Sequence, residues 1–238
     1  MRKRILIAAL VLLLTCCSCK DTSKSSQEIC LTNEILQSET VEEIKTSAVF
    51  DGSYAGPREL LEDAELVVLA TSDVNRTYIS IGDDPDNPEQ KLIYNTTEFT
   101  IDKVLYGTTD ETKITIRENG GVLTYGQYCD AMGFECEESE KDIYVRYSTM
   151  NAPLIEDHQQ YILFLREDVI DPDYYMPCGE FMGRYELNAG GGFSRDEPEP
   201  NFYPPTSTYI NEDPDASSNP QFTLEQMIEI CNEYQNTQ

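Results

Sequence analysis

The chain has no tryptophan and one histidine, His158, and its 17 Lys and Arg are outnumbered by 44 Asp and Glu, giving a formal charge of -27 over 238 residues. Each shortage excludes something. Scarce Lys and Arg exclude nucleic acid as a partner, because affinity for it comes mainly from basic side chains replacing phosphate counterions. The same repulsion opposes adsorption to anionic headgroups. One imidazole leaves little for a zinc site, and Cys129 and Cys136 do not have CxxC spacing. GxSxG, SxxK, HExxH, GxGxxG and P-loop signatures are all missing, so no catalytic constellation is legible. Long apolar runs are also missing: the ten residues from Ile5 to Leu14 would span about 15 Å as a helix, roughly half a hydrocarbon core.

What is present begins with an export signal. Arg2, Lys3 and Arg4 precede the Ile5–Leu14 run, and small and sulfur-bearing residues follow from Thr15 to Cys19. The segment Leu14-Thr15-Cys16-Cys17 resembles the lipobox of bacterial lipoproteins, which implies a diacylglycerol thioether on Cys17, with Cys16 and Cys19 as alternatives. The expected organisation is a signal peptide over 1–16, a polar Ser-rich tether over 17–28 and an N-terminal arm over 29–56. A β-barrel domain over 57–194 carries a long insertion at 119–142, and an acidic Pro-rich loop over 195–222 precedes a C-terminal helix over 223–238. Cleavage removes three basic residues and no acidic one, so the lipid rather than charge must supply the membrane attachment. The expected location is extracytoplasmic, at the bacterial cell membrane.

The body reads as strands separated by acidic loops. Pro57 followed by RELLED predicts a short helix to about Ala64, and LVVLA at Leu66–Ala70 a buried strand. Leu92 to Tyr106 alternates at Phe99 and Ile101 and changes phase at Val104 and Leu105, which predicts a bulge near Asp102 and Lys103. Lys113–Arg117 alternates and is expected to end at Gly120-Gly121. Ile143, Val145 and Tyr147 alternate again, while YILFL at Tyr161–Leu165 is apolar on both faces, as in a central strand. Phe181–Leu187 with GGGFSR predicts a last hairpin. Thr223 and Gln226 fit a capping box, with Leu224, Met227, Ile228 and Cys231 as the buried stripe of a closing helix.

The succession AELVVLATS, EFTIDKVLYG, ITIRENGG, YILFLRE and GRYELN resembles a diffuse family of uncharacterised bacterial secreted and lipid-anchored proteins. Its order is also similar to the OB-fold barrel of netrin-like modules and tissue inhibitors of metalloproteinases. The resemblance covers roughly residues 57–190. It implies a mainly β fold with minor α: a small closed OB-like antiparallel barrel with a short helix before the first strand and a C-terminal helix. It transfers no catalytic residue. The inhibitors chelate zinc through a free N-terminal cysteine, and a lipidated cysteine on a tether cannot do that.

Other candidates come from spacing. Cys129 and Cys136 close the short loop CDAMGFEC and form the disulfide candidate. Asp83, Asp84 and Asp86, with Asn87 and Glu89, and separately Asp213 and Asp215 with Asn211, supply hard oxygens for Ca²⁺, but neither loop keeps the EF-hand register and solvated acidic loops are the simpler reading. His158 beside Glu156 and Asp157 reads as an exposed turn residue, and Cys178 as a buried or bridged thiol. The leading functional reading is a lipid-anchored binding or interaction module for a surface protein or ligand. Its contact surface would come from the 119–142 insertion and Tyr125, Tyr128, Tyr144, Tyr147, Tyr174 and Tyr175. The alternatives are an envelope hydrolase working through carboxylates and a loop-mediated protease inhibitor.

Overall fold

A computed structural model describes residues 27–29, 41–44, 54–81, 91–148, 152–195 and 221–238. Their elements in chain order are β1 (Gln27–Ile29), β2 (Glu42–Ile44), α1 (Pro57–Asp63), β3 (Leu66–Ile81), β4 (Lys91–Tyr106) and β5 (Lys113–Thr124). Then come α2 (Tyr125–Met132), β6 (Tyr144–Ser148), β7 (Gln160–Glu167), β8 (Tyr175–Pro177), a 3₁₀ turn (Glu180–Gly183), β9 (Arg184–Leu187), β10 (Phe193–Arg195) and α3 (Leu224–Gln235). Strands β3, β4, β5, β8 and β7 close into a five-stranded barrel through a β3–β7 pairing. All of these contacts are antiparallel except β5–β8, which is parallel and joins Ile116 to Tyr175. The expected small OB-like barrel with flanking helices is therefore the fold.

Periodicity explains why the barrel closes. Leu66, Val68 and Ala70 of β3 and Tyr161, Leu163 and Leu165 of β7 point inward with Phe99, Ile114 and Ile116. The alternate residues Val67, Leu69, Ile162 and Phe164 point outward, where Leu60 and Leu61 of α1 and Met227 and Cys231 of α3 cover them. YILFL is apolar on both faces because the barrel fills one side and the helices the other. Each such large side chain contributes about 1.5–3 kcal/mol by leaving water.

The phase change in β4 has the expected cause. Pairing with β3 runs Val67 to Tyr106, Val68 to Val104, Leu69 to Lys103 and Ala70 to Ile101, so Leu105 and Asp102 are skipped. The bulge at Asp102 reverses the facing, which lets Phe99 enter the barrel while Leu105 joins the outer cluster. Gly107, with φ of +78°, then turns the chain against Glu65.

Three local expectations need correction. The strand beginning at Leu66 runs 16 residues rather than five. Gly120 and Gly121 do not end β5; they let it change partners, from β4 up to Asn119 to β6 from Gly120 onward. Phe181 lies in the 3₁₀ turn, and the first strand of the last hairpin, β9, starts only at Arg184. Gln27 and Glu28, at the end of the expected tether, pair with β3 through β1, and β2 in the arm pairs parallel to β6. Among the described residues no helix is long and apolar enough to cross a membrane.

Candidate functional site

A cavity of about 40 Å³ opens in the barrel wall where β5 passes the single β8 contact and runs beside the 3₁₀ turn. Two buried ion pairs frame it. Arg117 donates from Nε to Asp168 Oδ2 at 2.6 Å and from Nη2 to Oδ1 at 2.8 Å. Asp168 Oδ1 also accepts from the backbone N–H groups of Ile170 and Asp171, at 2.7 and 3.2 Å. On its other side the Arg117 guanidinium stands 5.3 Å from the centroid of the Tyr94 ring, which stacks on Tyr78. Arg184, fully buried, lies 3.0 Å from Glu118 and donates to the Pro153 carbonyl at 2.6 Å.

This arrangement limits what the cavity can do. Its volume suits one or two water molecules rather than an organic ligand. Asp168 has both oxygens occupied by strong donors and Glu118 faces a guanidinium, which is how a structural clamp is built; a general acid–base pair needs a carboxyl able to give and take a proton. Glu180, at the mouth, accepts from Asn119 Nδ2 at 3.2 Å and has φ of +56° directly after left-handed Gly179. The cavity therefore ties β5, the 168–171 turn and the 3₁₀ turn together where the barrel wall is thinnest.

An aromatic face lies on the other side of β6. Thr124 caps α2: its side chain accepts from the Gln127 N–H, and Gln127 returns a bond to the Thr124 N–H. The helix so placed stacks Tyr125 and Tyr128 at 6.2 Å between ring centroids, and Tyr128 meets Tyr147 of β6 at 5.6 Å and Phe134 at 6.5 Å. Beneath them are Ile79, Ile93, Leu123 and Val145. Phe134 is 60% exposed. Glu135, Glu137, Glu138, Glu140 and Asp142 are all exposed around this face. Burial, with Tyr128 and Glu180 nearby, pushes the Tyr147 phenol up.

The tyrosines singled out from sequence do not form one surface. Tyr125, Tyr128 and Tyr147 come together, whereas Tyr175, the first residue of β8, packs against the barrel core. Phe134 completes the face and sequence reading passed over it, as it passed over the T-x-x-Q capping box at Thr124 that announces α2. His158 is an exposed turn residue with φ of +59°. Cys178 is buried in the outer core and burial pushes its thiol up to about 12, the wrong direction for a nucleophile.

Cys129 is buried at the inner side of α2 and Cys136 is half-buried; both are free thiols, and burial, with Cys129 beside it, pushes the Cys136 thiol up. The lipidation candidates Cys17, Cys16 and Cys19 lie outside the described residues, as do the calcium candidates Asp83, Asp84, Asp86, Asp213 and Asp215. Among the described residues no cluster of His, Cys, Asp and Glu could hold a metal ion. Comparisons with protein-family models, with curated proteins and with solved structures find no match.

Proposed function

We propose that this protein is a lipid-anchored binding or interaction module of the bacterial cell envelope, and that the α2–β6 aromatic face is its contact surface. The observation that carries this reading is Phe134: a large apolar side chain left 60% exposed at the end of a capped helix, continuous with Tyr128, Tyr125 and Tyr147. Aromatic side chains that are rigid, half-buried and amphipathic are the residues that dominate contact energetics at interfaces. The basic start, short apolar run and Leu14-Thr15-Cys16-Cys17 segment support the anchor. The arginine-held carboxylates of the wall cavity favour a scaffold role for that cavity, which leaves the outer face to carry recognition.

The test places a photo-crosslinking phenylalanine analogue at position 134 and, as control, at Val169, which is 83% exposed next to the Asp168 clamp. Both versions are expressed in the native host. A cross-link from position 134, absent from position 169 and lost when Tyr128→Ala is added, is the expected result. Equal cross-linking from both positions, or none from 134, overturns the assignment. Intact mass of the same material with a Cys17→Ala control locates the acyl group.

A further inference from the structure

The aromatic face is held in place and ringed by charge of one sign. Gly133, with φ of +73°, turns the chain at the end of α2, and the N–H groups of Gly133 and Phe134 both donate to the Cys129 carbonyl, which fixes the backbone that presents Phe134. From Asp130 to Asp142 the chain carries six carboxylates, all exposed, and one lysine. Strand β2, whose Ile44 joins the same apolar cluster, sets exposed Glu42 opposite Val145. The neighbouring cations are already engaged: Lys141 with Glu138 at 2.6 Å, Arg146 with Glu43 at 3.4 Å and Lys91 with the Asp130 carbonyl at 3.0 Å. Among the described residues Glu135, Glu137, Glu140 and Asp142 form no ion pair. The wall of the same barrel shows what such a surface holds. There the stacked rings of Tyr78 and Tyr94, 11° apart in plane, carry the Arg117 guanidinium, with the Asp168 carboxylate against its edge. Tyr125 and Tyr128 repeat the stacked pair, at 18° between planes, with carboxylates around it and no described cation over either ring.

We propose that the α2–β6 aromatic face binds a basic polypeptide segment, whose arginine or lysine side chains lie over the tyrosine rings against the acidic rim while an apolar side chain beside them covers Phe134. The inference rests on the reading of this face as a contact surface and names the class of partner it takes. The face of an aromatic ring is the negative pole of its quadrupole and attracts a cation, a guanidinium most often. Carboxylates around the rings draw that cation in from solution and penalise an acidic partner. Neither feature selects alone: rings without the rim accept any apolar surface, and a rim without the rings holds only hydrated cations. Phe134, 60% exposed, adds an apolar contact that a free polyamine or metal ion has no group to fill. The same carboxylates repel anionic headgroups and phosphates, which leaves a polypeptide carrying both kinds of side chain. Salt therefore weakens the rim's share of the binding and spares that of Phe134.

The probe is a fluorescent peptide of alternating arginine and leucine, compared with one of alternating glutamate and leucine, titrated with the full chain and read by anisotropy. One variant removes rim charge through Glu135→Gln, Glu137→Gln and Glu140→Gln together. A control removes as much charge from exposed positions on α1, the β4–β5 loop and α3, through Glu62→Gln, Asp110→Asn and Glu229→Gln. The arginine peptide should bind and the glutamate peptide should not. At low salt the rim variant should weaken binding at least about tenfold and the control less than about twofold, and the difference should shrink as salt rises. Phe134→Ala should weaken binding at low and high salt alike. No binding of the arginine peptide, equal binding of the glutamate peptide, or equal weakening by both charge variants overturns the proposal. The rim substitutions are then added to the protein that carries the cross-linker at position 134. Loss of its cross-link in the host is the expected result. A cross-link that survives them leaves the contact surface standing and removes the basic partner. Binding that depends on the rim but not on Phe134 overturns both readings.

Discussion

Gly107 approaches the main chain of Glu65 so closely that a Cβ on it would lie 2.3 Å from the Glu65 carbonyl oxygen. Gly133 has nearly the same φ, +73° against +78°, but nothing lies within 4 Å of where its Cβ would be. The pair separates two costs that glycine positions usually mix. Gly133→Ala should lose about 1–2 kcal/mol, the price of left-handed backbone alone. Gly107→Ala must also push strand β3 away from the corner and should lose clearly more, or fail to fold. Urea unfolding of the two variants side by side is the measurement, and equal losses would show that the corner yields without resistance.

The Arg117–Asp168 clamp makes the second prediction. The Asp168 side chain is 1% and the Arg117 side chain 10% exposed, so removing one partner leaves the other charge buried without it. Asp168→Ala should cost about 3–5 kcal/mol, while Arg117→Met combined with Asp168→Leu should recover much of that loss. Denaturant midpoints of the single and double variants decide the matter. A double variant as unstable as the worse single one would mean that the backbone bonds to Ile170 and Asp171, rather than the ion pair, hold the turn.

Two helices share one start signal and differ in how well the sequence announces them. Thr223 and Gln226 precede a clear stripe, and α3 forms as expected, with Met227 and Cys231 buried in the outer core. Thr124 and Gln127 make the same box, yet α2 buries only Cys129 and is two turns long, so no apolar period marks it. Replacing either threonine by alanine should therefore cost about 1 kcal/mol. In α2 the loss should appear as fraying of the aromatic face, read from hydrogen exchange of residues 127–132, without a matching fall in global stability. Uniform loss of protection across the barrel would show that α2 unfolds only with the whole.

What could be read from the residues follows the same physics. Strands with two buried faces, such as Tyr161–Leu165, and bulges that change phase, as at Asp102, leave their mark in local pattern. The wall cavity left none, because the neighbours Arg117 and Glu118 are far in sequence from their partners Asp168 and Arg184 and meet them only once the barrel is closed. Among so many carboxylates nothing distinguishes the two that become buried. Phe134 was equally silent: a single aromatic between Gly133 and Glu135 gains meaning only when α2 stacks Tyr128 beside it.

The buried thiols set the alkaline limit of the fold. Burial pushes Cys178 up to about 12 and Cys231 up to about 11, from the ordinary thiol value of 9.0. Below pH 9 both thiols are protonated in folded and unfolded chains alike, and their contribution is intact. Above it the unfolded chain releases protons that the folded chain retains, so stability falls as pH rises from the ordinary thiol range through the folded values. Tyr185, pushed up to about 12 by its own burial, adds to the same decline above its ordinary 10.0. Urea midpoints measured under reducing conditions should be flat from neutrality to about pH 8.5 and then drop progressively to pH 11. Cys178→Ala should start lower at neutral pH, because its packing in the outer core is lost, and decline less steeply above pH 9. If the variant and wild-type curves run parallel across that range, the alkaline loss belongs to other groups and the Cys178 thiol is not as sheltered as its burial indicates.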